Sequence, residues 1–171
     1  DAVDKETIID TALWGFGTAL AGPLPNQVEK PGGASASEKI ETANIELEEG
    51  GWELSVGDRI EDIGVREKKG QTLSFTLSTQ DTPELKQVAG LLVDTWRKLG
   101  ADVELKIYEA GDIKQNVIRP REFEALLFGQ SYGLILDPAP LWHSRARLDP
   151  GLNIASYTNA NADKALDQLR E

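Results

Sequence analysis

The sequence predicts an α/β fold with a mixed sheet organised around one βαβ unit. Three observations carry this. Thr72–Thr79 alternates strictly, with Leu73, Phe75 and Leu77 on one side and Ser74, Thr76 and Ser78 on the other. An amphipathic helix opens at Thr82-Pro83-Glu84, and a second alternating run follows at Val103, Leu105 and Ile107. A period of two marks a strand with one buried face, and strand–helix–strand in this order makes the strands parallel with a right-handed crossover.

Each element can be justified in turn. Asp4 caps a first helix to Trp14 with Ile8, Ile9, Ala12 and Leu13 on one face, and Gly15 ends it in a left-handed conformation. Gly- and Pro-rich chain follows to Gly33, including Pro25-Asn26 and Pro31-Gly32-Gly33. Ser35 and Glu38 form a capping box for a second helix with Ile40, Ala43 and Leu47 as its stripe, stopped by Gly50-Gly51. Trp52, just past that stop, is expected to fold back on its own helix. The eight acids against one base between Glu41 and Asp62 read as a solvated face, since calcium-loop spacing is missing.

In the middle helix Leu85, Val88, Ala89, Leu92, Trp96 and Leu99 form the core stripe, and Gly100 ends it. A short helix near Asp112–Ile118 leads through Arg119-Pro120-Arg121 to Phe123–Phe128, an apolar run too short for a helix. It reads as a central strand covered on both faces. From Gly129 to Thr158 periodicity fails, while aromatic and polar residues accumulate, which is the composition of a functional or docked loop.

The 171 residues suit one domain, and a net charge of -11 disfavours nucleic acid and anionic membranes as partners. No apolar run is long enough to span a bilayer. With no cysteine, disulfides, thiolate metal sites and cysteine nucleophiles are ruled out together. With no methionine and with Ala162–Glu171 stopping as an uncapped helix, the chain is expected to be cut from something longer.

Catalytic chemistry finds little support. Gly129-Gln130-Ser131-Tyr132-Gly133 has the spacing of a nucleophile elbow, but Gly133 to Pro140 cannot supply the helix that an elbow needs. His143, the single histidine, sits beside Ser144 rather than facing a nucleophile from another segment. The expectation is no enzyme, no cofactor and no metal site. Trp142 and Tyr132 are different from the core tryptophan Trp96, because they occupy the loop, where flat rings suit a binding cleft.

The order of several segments resembles the C-terminal lobe of family 5 extracellular solute-binding proteins, the oligopeptide-, dipeptide- and nickel-binding receptors of ABC importers. The matching stretches are Asp4–Ile9, Gly17–Pro25, Glu48–Trp52, Ile63–Gly70, Phe123–Gly129, Asp137–Ser144 and Tyr157–Asn159. Each is weak alone; their order over the whole chain is specific.

The resemblance implies one lobe of a type II periplasmic-binding-protein-like clamshell that closes on a solute. Residues 1–171 would be a truncated C-terminal lobe, with a helix and irregular connection over 1–36 and the α/β body over 37–171. It further implies an extracytoplasmic protein, periplasmic or lipid-anchored, whose partners are the missing N-terminal lobe, ABC permease subunits and a small solute such as a peptide or oligosaccharide. Gly129, Gln130, Ser131 and Tyr132 become ligand-binding candidates by carry-over, joined by Asp137, Trp142 and His143. Ligands of open α/β sheets lie beyond the carboxyl ends of strands, which agrees. Gln130 stands where peptide receptors often have Trp, and the next acid is the distant Asp137. Trp142 and Tyr132 would stack on a sugar if the solute were an oligosaccharide. The contrasting expectation is a protein-interaction domain docking through the Gly129–Thr158 loop.

Overall fold

The computed structural model describes residues 2–23, 27–29, 33–55, 64–131 and 137–169, in two compact units. One unit holds the chain to Tyr108 with Glu124–Leu127, and the other holds Glu109–Phe123 with Phe128 onward. Pro25-Asn26, Pro31-Gly32, the end of the acidic run after Ser55, and Tyr132 lie outside the described residues.

In the first unit α1 (Lys5–Ala12) starts where Asp4 accepts the Thr7 N–H, and Gly15 follows it at φ +78°. α2 (Ala36–Glu49) has the expected capping box, with Ser35 and Glu38 bonded reciprocally. It buries no residue completely, so its stripe is only half covered. Past its end the Trp52 main-chain N–H donates to the Leu47 carbonyl at 2.9 Å, and the Trp52 ring faces the Lys68 ammonium at 5.9 Å. β1 (Glu53–Leu54), β2 (Arg66–Lys68) and β3 (Gln71–Thr72) form a small antiparallel sheet.

β4 (Ser74–Gln80), α3 (Pro83–Lys98) and β5 (Asp102–Tyr108) make the βαβ unit, and β4 pairs with β5 in parallel from Ser74↔Asp102 to Gln80↔Tyr108. The α/β class and the parallel pairing follow the sequence prediction, but the parallel and antiparallel strands occupy two sheets rather than one. Thr82 caps α3 by accepting the Leu85 N–H, and Pro83 sits at the first turn, where its missing N–H costs nothing. The core is Leu77, Ala89, Val93, Ala101 and Val103, with Phe75 and Trp96 packed edge to face beside it at 5.3 Å. Val93 therefore joins the stripe, while Trp96 is half-buried at its margin.

β6 (Ala125–Leu127) corrects an expectation. It pairs in parallel with β4 alone, so among the described residues it is an edge, and β4 is the central strand. Its three residues are half-buried. The polar Thr79 is completely buried because β4 lies between two neighbours, and its hydroxyl donates to the Leu127 carbonyl at 3.0 Å.

The second unit begins with a short helical turn, α4 (Ala110–Asp112), that widens into a π-helical segment, Ile113–Ile118. The wide pitch appears in hydrogen bonds from Arg119 N–H to Lys114 O and from Glu122 N–H to Val117 O. Ile113, Val117 and Ile118 are buried, as are Ala139 of α5 (Ala139–Trp142) and Leu166 of α6 (Ala160–Gln168). The irregular loop thus has short helical structure of its own, including a 3₁₀ turn at Ser144–Ala146.

Candidate functional site

The second unit contains a cleft of about 480 Å³. One wall is the end of the π-helical segment, with Lys114, Ile118, Arg119 and Arg121; another is Phe128, Gly129, Gln130 and Ser131; a third runs from Asp149 to Leu152 and includes Ile154. Arg119 and Arg121 follow the π-helical segment directly and both line this cleft. Arg121 adopts φ +63° and is anchored by its guanidinium, which donates from Nη2 to the Gly151 carbonyl at 2.7 Å, from Nε to the Arg147 carbonyl at 3.2 Å, and from Nη1 to Ile118 O. This bonding ties two walls together. Arg119 stays half-exposed, donating to Gln115 Oε1 at 2.7 Å and facing Asp149 Oδ1 at 3.5 Å.

The N–H groups of Gly129, Gln130 and Ser131 donate no hydrogen bond among the described residues, which leaves three main-chain donors along one wall. These three sequence-derived candidates are brought together. The others lie elsewhere in this unit, apart from Tyr132, which is outside the described residues.

Asp137 accepts the Ala139 N–H at 3.0 Å at the start of α5. Trp142 packs edge to face on Tyr157 at 6.1 Å, and its buried indole N–H has no hydrogen-bond partner among the described residues. Asn153, wholly buried, holds this region by donating to Tyr157 O and His143 O and by accepting the Tyr157 N–H. Because Leu152 and Ile154 flank it, Asn153 also sets the third wall of the cleft.

His143 is buried against α6. Its Nδ1 accepts the Arg145 N–H at 3.2 Å and lies 3.3 Å from Asp163, and Nε2 meets Asp167 at 3.4 Å. Ser144 donates both its hydroxyl, at 2.6 Å, and its N–H, at 2.9 Å, to Asp163. Those bonds, the hydroxyl's first, hold the Asp163 carboxyl below the usual aspartate range, with the nearby His143 and Arg145 adding to the effect. The single histidine is therefore engaged with aspartates and the Arg145 amide, and Ser131 has no histidine base.

Among the described residues no group of three or more His, Asp or Glu side chains is gathered for a metal ion, and no helix is long and apolar enough to cross a membrane. In the first unit a cleft of about 460 Å³ includes Lys5, Glu29 and Lys39, but these are paired already, Lys5 with Glu29 at 2.9 Å and Lys39 with Glu29 at 3.8 Å.

Sequence reasoning did not single out Lys114, Arg119, Arg121 or Asp149 as cleft residues. The available signal was a run of cations from Lys114 to Arg121 in a strongly acidic chain.

The chain is 32% identical to Protein XP55 of Streptomyces lividans over 181 residues, a match covering 99% of this chain and 30% of that protein. It is similar to the oligopeptide-binding protein AppA of Bacillus subtilis, solved with a nonapeptide, at a TM-score of 0.76 and 26% identity over 98% of this chain and 33% of that one. It is also similar to NikA of Brucella suis, solved with Fe(III)-EDTA, at a TM-score of 0.62 and 26% identity over 98% of this chain and 36% of that one. The chain thus spans about a third of the length of these relatives. The family model described as "Bacterial extracellular solute-binding proteins, family 5 Middle" matches residues 2–147, and the chain belongs to that family.

Proposed function

We propose that the chain is part of the solute-binding component of an ABC importer, acts outside the cytoplasm, and contributes one side of a site completed by another lobe. The solute is a peptide or another small molecule, held and released without chemical change. The observation that carries this is the cleft walled by Gly129, Gln130 and Ser131, whose main-chain donors are open. Preformed donors on a concave surface are what a binding protein needs to orient a ligand. AppA with its nonapeptide and NikA with its metal chelate support a solute-binding role and differ in what they hold. In this reading Gly129, Gln130 and Ser131 touch the solute, whereas Asp137, Trp142 and His143 support the walls by their packing.

The test is a thermal-shift screen of the full-length gene product against peptides, oligosaccharides and metal chelates. A true solute at 100 times its dissociation constant should add about 2.7 kcal/mol to stability. Gln130→Pro and Ser131→Pro, which each remove one of those main-chain N–H donors, should weaken that solute by about fivefold or more, as expected when a hydrogen-bonding contact is lost. A screen in which no solute raises the melting temperature would defeat the receptor reading.

A further inference from the structure

We propose that this cleft receives a carboxylate of the solute at Arg119, and that Asp149 occupies the same guanidinium until the solute arrives. The inference rests on the receptor reading and adds to it the chemical class of the ligand group.

Charge is the first observation. The chain carries a net charge of -11, yet among the described residues three cations, Lys114, Arg119 and Arg121, line this cleft against the single carboxylate of Asp149. Clustering of one sign in a concave site focuses the field on an oppositely charged ligand. The three cations differ in availability. Arg121 is committed to three main-chain carbonyls and supplies fixed positive charge. Lys114 has no ion pair among the described residues. Arg119 is half-exposed and retains donors beyond its bond to Gln115.

Asp149 is the second observation. Its Oδ1 lies 3.5 Å from Arg119 Nε, and both side chains are about half-exposed. A long, solvated ion pair is weak, whereas a carboxylate arriving face-on can take two guanidinium donors and meet the open N–H groups of Gly129–Ser131. Asp149 therefore acts as an internal competitor that lowers the apparent affinity for the solute carboxylate without blocking it.

The test follows the arginine Nε–H signals of the ¹⁵N-labelled full-length protein during titration with citrate and, separately, inorganic phosphate, at constant ionic strength. Arg119→Gln identifies the signal by its loss. Citrate should move the Arg119 signal, and Asp149→Asn should bind citrate about two- to fivefold tighter. Glu122→Gln, an equal charge change at an exposed residue outside the cleft lining, should leave citrate affinity unchanged.

Equal tightening in both variants would mean general electrostatics and overturn the competitor. An unmoved Arg119 signal would overturn the site, and phosphate binding as tightly as citrate would overturn the carboxylate class. If the solute screen finds a neutral ligand indifferent to Arg119→Gln, the receptor reading stands and this inference fails. If citrate binds at Arg119 while no solute stabilises the protein, the receptor reading fails and the carboxylate site stands.

Discussion

Arg66 Nε donates to the carbonyl oxygen of Leu99 at 2.8 Å, and the whole Arg66 residue is buried. Its other nitrogens reach Trp52 O at 2.7 Å and Asn44 Oδ1 at 2.8 Å. Leu99 closes α3, and Trp52 follows the end of α2. Carbonyls at helix C-termini, such as that of Leu99, lack intrahelical partners and carry partial negative charge, so one buried cation ties the end of α3 to the chain leaving α2. Glu48, at 3.4 Å, is largely exposed and adds little to the buried cation's stabilisation.

Arg66→Ala should therefore destabilise the chain by about 3 kcal/mol, because it leaves several buried acceptors unpaired. Arg66→Lys should recover only part of this, since an ammonium cannot reproduce the planar fork. Glu48→Gln should cost less than about 0.5 kcal/mol. Urea unfolding of the three variants measures the order; a Glu48 effect as large as that of Arg66 would contradict the carbonyl-centred account.

Gly100 and Gly70 both have positive φ, at +81° and +77°. A Cβ at Gly100 would stand 2.9 Å from Arg66 Cγ and Leu54 Cδ2, whereas one at Gly70 would meet nothing within 4 Å. Gly70→Ala should cost about 1 kcal/mol of left-handed strain. Gly100→Ala should cost about 2 kcal/mol more, from overpacking. Comparable denaturation midpoints for the two would remove the steric part of the argument.

Asn153 donates to Tyr157 O at 2.9 Å and to His143 O at 3.2 Å, and accepts the Tyr157 N–H at 3.0 Å. Asn153→Ala should lose about 2 kcal/mol. Asn153→Asp should be worse despite its similar shape, because it turns a donor toward carbonyls into a buried anion facing them. Thermal denaturation ranks the two, and an aspartate milder than alanine would refute the assignment of the bonds.

Asp163 sets a pH dependence for the docking of α6. Its pKa is lowered in the folded chain, chiefly by the Ser144 hydroxyl, so the stabilisation is fully present above the unfolded value of about 4 and is lost as pH falls through the lowered folded value. Amide protection factors in α6, corrected for the intrinsic exchange rate at each pH, should fall below about pH 4 in the natural chain. Asp163→Asn should flatten that acid limb, and an unchanged limb would place the titration elsewhere.

Local chemistry made much of this fold readable. Asp4, Ser35 and Thr82 cap helices through side-chain oxygens that need only their own next turn. Gly15 and Gly100 end helices by a backbone conformation that other residues resist. The alternating runs around Leu77 and Val103 specify strands because the side-chain period is a property of each strand alone.

What the sequence could not determine depends on which surfaces meet. Phe123–Phe128 reads as a central strand from its apolarity, but neighbour count decides centrality, and β4 has neighbours on both sides. Arg66 stands in a short basic stretch with Lys68 and Lys69, yet the carbonyls of Leu99 and Trp52, distant in sequence, give its cation a buried environment. His143 reads as a loop residue free for a ligand, while Asp163 and Asp167, distant in sequence, engage it. By itself the sequence determined the capped helices and the βαβ unit, and it offered the Gly129–Ser131 segment as a candidate. Only tertiary structure decided that Arg119, Arg121 and Asp149 join that segment in one cleft, because long-range contacts leave no periodic trace in the chain.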